Sequence, residues 1–468
     1  MSDCDALVIG GGVSGLTAAA YLARAGLRVI VAEARNKLGG ACESMSFGEG
    51  FHAPLTQTLY ALDPRVVKDL KLNLKFAVRD MALTGLRADG KHIVLSRDGA
   101  ARSIAVHSQA DAKAWKRFRR ELFSLARDMR ALWWDEGTFS VSRERLEPFR
   151  RLSAAAWLDG WFESDALKAT LAFDATENGL SPFEPGSALA LLWRASQEMC
   201  GLQGAVAALA GGPPSLVQAL LEAAKVDIRT GANVSRILLA NGAVAGVELA
   251  SGETIAASIV ISSASRRRTL NELLPTGAIG FARADSMDRA NPKTGTAKVA
   301  LALSALPMFA GVPSTARFIL AERLESYAAA YSAARAGRLP DELIMEAVTP
   351  TAADSSLAPI GQHLLIASVR PVPLAMNDEM KAQLTAKVIA AFARHVPGMH
   401  VVASEVLTPA EISSRYGAQD LKMNVAQMLA NWDERLRTPI SSLMLCGESA
   451  ISGRAGRIAA AMAIRDKT

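Results

Sequence analysis

An α/β fold is what this 468-residue sequence predicts: a parallel sheet in a three-layer ββα arrangement, interrupted by inserted α+β segments. Three stretches predict it. Residues 5–40 read strand, glycine turn, helix, strand. Residues 211–264 return to α/β character after a helix-rich interval. The chain then closes on SSLMLCGESAISGRAGRIAAAMAIR, a strand, a glycine turn and a helix.

The first stretch fixes the rest. Ala6–Ile9 is a short apolar run that reads as a buried strand. Gly10, Gly12 and Gly15 follow at G-x-G-x-x-G spacing. Ser14–Ala25 has the apolar spacing and alanine content of a helix, and Gly26 ends it. Leu27–Ala32 is a second apolar strand with Glu33 at its end. Such a unit is built for a dinucleotide. Gly10 permits the tight turn, Gly12 admits backbone close to a pyrophosphate, and Gly15 lets helix pack on strand. The helix start, at Val13 and Ser14, offers free amide N–H groups and a positive dipole end. Glu33 accepts from ribose hydroxyls and disfavours a 2′-phosphate. The fold is therefore a Rossmann-type domain.

Phe51 to about Cys200 is richer in tryptophan, arginine and helical spacing. Lys113–Trp134 reads as one amphipathic helix, with Trp115, Phe118, Leu122, Leu125, Met129 and Leu132 on its apolar side and arginines elsewhere. A core-facing helix with a solvated basic face is the favoured reading; a membrane-surface helix is the alternative. Next come a helix at Ser215–Lys225 and strands at Val226–Arg229, Asn233–Ala240, Ala243–Leu249 and Thr254–Ile261. GLQGAVAALAGG at 201–212 follows no strand and is not a second nucleotide motif. A further region has strands at Thr296–Leu303, Leu343–Ala347 and His363–Val369 and helices at Glu322–Ala336 and Met380–His395. The nucleotide domain is thus expected to be discontinuous, over 1–70, 205–285 and 410–468, with 71–204 and 286–409 forming the substrate domain.

Composition narrows the function. Half the residues are hydrophobic, about a fifth are charged, and the net charge is +6. Over this length that bias is too diffuse for nucleic acid. The four cysteines are scattered without a C-x-x-C pair, and no His or carboxylate cluster has metal-ligand spacing, so no metal is expected. No apolar run is long enough to span a bilayer, and no leader pattern precedes the first strand. A cytoplasmic protein is the expectation, with peripheral contact at the inner membrane left open.

Beyond Glu33, the run EARNKLGG sets Ala34, Arg35 and the pair Gly39-Gly40, with Ala41 next. This extension resembles flavoproteins of the glutathione-reductase type, especially their amine-oxidase and phytoene-desaturase branch. The resemblance continues through WFESDALKATLAFDA, SPFEPGSA, VDIRTGANVSRI, GTAKVALALSALPMF, SSLAPIGQH and EVLTPAEISSRYG. The chain is similar to the phytoene-desaturase-like FAD oxidoreductases, closest to the subgroup named for a pyridine nucleotide-disulphide oxidoreductase domain. The resemblance implies FAD. It implies Val234 beside the adenine, Gly447-Glu448 on the ribitol, and the turn Arg454–Gly456, including Ala455, near the flavin. It also implies Lys298 near the reacting edge of the ring, where it assists proton transfer; a strand-end lysine in an ion pair is the rival reading. His52, in GFHAPLTQTLY, is a second candidate to face the flavin.

Three departures stand out. The subgroup's His-Pro-Gly-Gly-Gly stretch is shortened here to ESAISGRAG. Its His-Gly-Glu-Leu run is Asp420-Leu421-Lys422-Met423 here, and its Gly-Gly-Met-Gly loop is Gly211-Gly212-Pro213-Pro214. The expected activity is hydride removal from a C–H bond of a largely apolar substrate, with oxygen, a quinone or a protein as electron acceptor. Amine-oxidase-like C–N oxidation is the second expectation. A non-catalytic FAD-binding subunit serving a partner protein is the third, and a homodimer is also left open.

Overall fold

A computed structural model describes residues 3–134, 139–177, 179–279, 293–416, 433–447 and 451–467. Its first sheet gathers strands from three distant parts of the chain. Asp227–Arg229, Val29–Ala32, Cys4–Ile9, Thr254–Ser262 and Leu443–Leu445 lie side by side in parallel. Val234–Ala240 and Ala243–Leu249 extend it as an antiparallel meander onto Thr254–Ser262.

The alternation of strand side chains sorts this sheet into layers. Ala6 and Val8 face the helices Val13–Arg24 and Arg454–Lys467, in one core with Ala18, Leu22, Ala459 and Ala463. Leu7 and Ile9 face the other way, onto Ile237, Val247 and Ile255 of the meander. Helices, parallel sheet and meander are the three layers expected. The two helices approach closely because Gly456 has no side chain: a Cβ there would lie 2.1 Å from the Ser14 carbonyl oxygen. The second strand begins at Val29 rather than Leu27. The Asp5 side chain takes the Arg28 backbone N–H at 2.9 Å, so the chain turns there before it enters the sheet.

The second sheet runs in the order Val401–Leu407, Gly295–Leu303, His363–Val372, Met345–Val348, Arg317–Leu320, Leu83–Gly85 and Ile93–Leu95. Neighbours are antiparallel except Arg317–Leu320 beside Leu83–Gly85. One face, with Val299, Leu301 and Leu303, packs on Leu384, Val388 and Phe392 of the helix Asp378–Ala393. The opposite face, with Ala300 and Ala302, meets a hairpin of Ser44–Phe47 and Phe51–Pro54. That hairpin and the two short strands at 83–95 had only helical or loop expectations. They are three or four residues long, too short to set up a readable alternation.

The helix Gln109–Trp134 is core-facing. Trp115, Phe118, Leu122, Leu125, Met129 and Leu132 are all buried in one cluster with Trp157, Phe162 and Leu192. The helical lobe meets the second sheet through its apolar cluster, which includes Ile319 and Ile344, and through buried ion pairs. Arg317, buried in its strand, pairs with Asp174 at 2.7 Å and with Glu346, and Arg370 pairs with Glu177 at 2.9 Å. Burial opposes ionisation of Asp174 and Glu177, but the facing guanidiniums outweigh it and hold both carboxyls below their ordinary range. Among the described residues no helix is long and apolar enough to cross a membrane.

Candidate functional site

A cleft of ≈ 1220 Å³ runs from the first sheet's carboxyl edge to the second sheet. It exceeds the roughly 300–1,000 Å³ of ordinary small-molecule sites, so an extended dinucleotide and a substrate fit together. Gly10 turns the chain out of its strand at φ +93°, a conformation that favours glycine. At Gly15 a Cβ would stand 2.0 Å from the Gly10 carbonyl oxygen, so only glycine lets the helix begin against the turn. Gly12 is different. It lines the cleft, and a Cβ there would meet no protein atom within 4 Å. Its lack of a side chain serves whatever fills the cleft. The helix that starts at Val13 has no side-chain cap, so its first N–H groups remain available to an anion.

Glu33 is buried at the end of its strand. One carboxylate oxygen accepts from the Gly11 N–H at 2.7 Å; the other accepts from the Arg35 N–H at 3.0 Å and its Nε at 3.3 Å. Arg35 also pairs with Glu43 at 2.7 Å. Gly39 donates its N–H to the Gly11 carbonyl at 2.9 Å, which brings the second glycine pair alongside the first turn. Burial raises the Glu43 carboxyl against the pull of Arg35, and it pushes the Cys42 thiol up to about 12.

Of the residues expected to hold the cofactor, Gly10, Gly12, Val13, Ser14, Glu33, Ala34, Arg35, Gly39, Gly40, Ala41, Val234 and Gly447 all line this cleft. Gly15 lies behind it as the packing glycine. Ala455 and Gly456 are buried in the closing helix and do not line it; Ser452, just before them, does. Glu448 and the altered run at 420–423 lie outside the described residues. Gly212 and Pro213 of the altered glycine loop line the cleft.

Lys298 does not line the cleft; it meets it through Gln57. Its Nζ donates to Gln57 Oε1 at 2.9 Å and to Ser368 Oγ at 2.7 Å, and Gln57 Nε2 donates to the same Ser368 oxygen at 2.8 Å. Ser368 sits directly opposite Lys298 across the strand pair, so both point to one face. Gln57 itself lines the cleft. Gln57 was missed although its run, GFHAPLTQTLY, had been singled out for His52. His52 is exposed and lies 3.1 Å from Ser46 Oγ within the hairpin, away from the cleft. Counting the strand's period of two onward from His52 would have flagged only Pro54. Gln57 lies past the strand's end, where periodicity gives no direction.

Arg266, Arg267, Arg268, Glu272 and Arg435 line the cleft as well. Part of the remaining wall is apolar, with Leu59, Val78, Met81, Leu209, Val348 and Leu357. Asp354 is its carboxylate on that side. It accepts from the Gly211 N–H at 2.6 Å and from the Ser356 N–H and hydroxyl. Partial burial works to raise Asp354, yet these hydrogen bonds hold it below the usual carboxylate range.

A family model described as flavin containing amine oxidoreductase matches residues 13–301, more than half of the chain. The chain belongs to that family. It is an FAD-dependent oxidoreductase, and the glycine cradle, the uncapped helix start and Glu33 fit the adenosine and pyrophosphate of FAD. Pyridine nucleotide-disulfide oxidoreductase domain-containing protein 2 of Rattus norvegicus is 28% identical, over 99% of this chain and 93% of its own. The phytoene desaturase of Cercospora nicotianae is 25% identical, over 87% and 67%. Among solved structures, a redesigned putrescine oxidase superposes with a TM-score of 0.67 at 16% identity, over 99% of both chains. An oxidoreductase from Methanosarcina mazei does so with 0.64 at 18%, over 99% and 100%. At that identity these structures speak to the fold.

Proposed function

We propose that this oxidoreductase takes hydride from a C–H bond of a largely apolar substrate, with Lys298 as the residue that manages the accompanying proton. The apolar side chains that line the cleft beside Gln57, whose amide oxygen accepts from Lys298 Nζ, carry the reading. FAD, when bound, supplies the two-electron acceptor. The protein's part is to hold the dinucleotide through Gly10–Ser14, Glu33, Arg35, Val234 and Gly447, and to orient the substrate against Leu59, Val78, Met81 and Val348. Lys298 Nζ is fixed by two neutral oxygens, an arrangement suited to passing a proton between substrate, water and protein. The substrate class follows that of the desaturases among the relatives. Electrons then pass to oxygen, a quinone or a partner protein.

Segments 1–70, 205–285 and 410–468 form, on this reading, the FAD domain, and 71–204 with 286–409 the substrate domain. The three-part origin of the first sheet supports that division.

Amine oxidation is the weaker reading. Tyr416 is the lone aromatic side chain in the cleft wall among the described residues, and Asp354, an acid an ammonium would seek, is engaged by three donors. Anaerobic mixing of the flavin-loaded protein with isoprenoid, fatty and amine donors decides between them. Bleaching of the oxidised-flavin absorbance by apolar donors is expected. Bleaching by amines alone would overturn the proposal. A flavin that no donor reduces, in protein that stays bound to another polypeptide, would point to the non-catalytic subunit.

A further inference from the structure

We propose that a second, smaller cleft, between Arg97–Ala101 and the helix Gln109–Trp134, binds a phosphoryl-bearing anion. It lies in the helical lobe, outside the FAD cleft, and stands independently of the function proposed above. Its volume is ≈ 340 Å³, against about 30 Å³ for each water of liquid, so a phosphate group enters with room to spare.

The charge of its wall comes from helical spacing. Lys116 and Arg120 are four residues apart, as are Trp115 and Arg119, so these four side chains share one turn-to-turn face. Arg97 reaches the same space from the preceding loop. The wall thus holds four cationic side chains against one carboxylate, the exposed Asp98. Arg97 is partly neutralised by Asp80, 2.8 Å from its Nε, and Arg119 Nη1 donates to the Arg97 carbonyl at 2.9 Å. Lys116 and Arg120 have no ion pair or hydrogen bond among the described residues. Like charges at this spacing repel one another and are tolerated here on one face. Burial, and then the like charge of Arg97, lowers the Arg119 guanidinium below its ordinary value, a strain that a bound anion relieves.

The tryptophan packed beneath these cations gives the site a spectroscopic reporter. Trp115 is 8% exposed, its ring stacked on Phe118 at 5.8 Å, and its indole Nε1–H is buried without an acceptor. Buried indole N–H groups normally find a partner. A wall on which Lys116 and Arg120 are unpaired among the described residues and Arg97 and Arg119 add two guanidiniums matches phosphate oxygens, which accept from each of them. The anion arrives either as a soluble phosphate ester or as the headgroup of an anionic phospholipid. Contact with a lipid surface would then come through this cleft rather than through the apolar side of the helix, which is buried in the core.

The test uses flavin-loaded wild-type protein and the Lys116→Ala/Arg120→Ala double variant, both side chains being exposed and remote from the core. Inorganic phosphate is titrated while the Trp115 indole N–H resonance is followed, with chloride at matched ionic strength as control. A saturable shift that chloride does not reproduce is expected, weakened at least about tenfold in the variant. Co-sedimentation with phosphatidylglycerol vesicles but not phosphatidylcholine vesicles, abolished by phosphate, would identify the headgroup as the source. The saturable shift without sedimentation would identify a soluble ester. A shift equal in chloride, or equal in the variant, with no phosphate-sensitive sedimentation, overturns the site.

Discussion

The two ends of the FAD cleft are built on different plans. The adenosine end is made of backbone. Gly10, Gly12, Gly15, Gly39 and Gly40 set the path of the chain. Glu33 is fixed by the N–H groups of Gly11 and Arg35, and the Arg35 guanidinium by the carboxylates of Glu33 and Glu43. The far end is made of side chains. Lys298, Gln57 and Ser368 meet across 241 and 70 residues of chain because two strands and a loop carry them to one point. A backbone site survives drift in the residues around it but fails at a single misplaced Cβ. A side-chain site stands on the register of its sheet and on whatever holds that sheet to its neighbours.

The largest effect is expected where the side-chain end is anchored. Arg317→Met leaves Asp174 and Glu346 buried without their shared cation, and such breakage costs about 3–5 kcal/mol. Urea unfolding should show this loss, together with impaired substrate-linked reduction of the flavin. Unchanged stability would mean that the ionic join does not hold the second sheet in place.

Next in size is the cluster itself. In the role proposed for Lys298, Lys298→Met retains flavin and slows anaerobic flavin reduction by about a hundredfold. Ser368→Ala removes one of the ammonium's hydrogen-bond partners and slows the step by roughly tenfold, with a shifted pH profile as the sign of mispositioning. Stopped-flow traces that match wild type in both variants would demote the lysine to a structural strand end.

The glycines test the backbone end. Gly15→Ala puts a methyl 2.0 Å from a carbonyl oxygen that cannot yield, and overpacking of this kind costs about 1–3 kcal/mol. Gly12→Ala, with open space around its Cβ, should leave unfolding of the flavin-free protein within about 0.5 kcal/mol while flavin retention falls. Equal behaviour of the two variants in both assays would erase the distinction between a packing glycine and a ligand glycine.

This contrast also explains what the sequence made legible. The strand–turn–helix–strand unit lies within 40 residues, and each position has a local physical reason, so its residues line the cleft as expected. The long strands at 243–249, 254–262 and 295–303 appear within a residue or two of their predicted limits because their alternation or apolar run is long enough to read. Lys298 was reachable only through resemblance. Gln57, Ser368 and Asp354 carried no local signal, since a glutamine after a strand, a serine in an apolar strand and an aspartate in a turn look alike whether or not a site needs them. Gly456, placed near the flavin by resemblance, also has a packing reason to be glycine, since the Ser14 carbonyl presses on it.

The smallest predicted effect lies on the seam between the two ends. Asp354, between the strands Met345–Val348 and His363–Val372 of the second sheet, accepts the N–H of Gly211 from the loop that leads into the helix Pro214–Ala224. Asp354→Ala removes that tie and should cost about 0.5–1.5 kcal/mol near neutral pH. The pH dependence follows from its depressed folded-state value. Its contribution is fully present above the unfolded carboxylate value of about 3.9 and is lost as pH falls through the lower folded value. The gap between wild type and variant in urea unfolding should therefore be constant around pH 5–7 and close only in stronger acid, on the order of pH 3. A gap that closed near pH 6 would assign the tie to some other titrating group. Absence of any gap would mean that the two halves of the cleft are held together by their sheets alone.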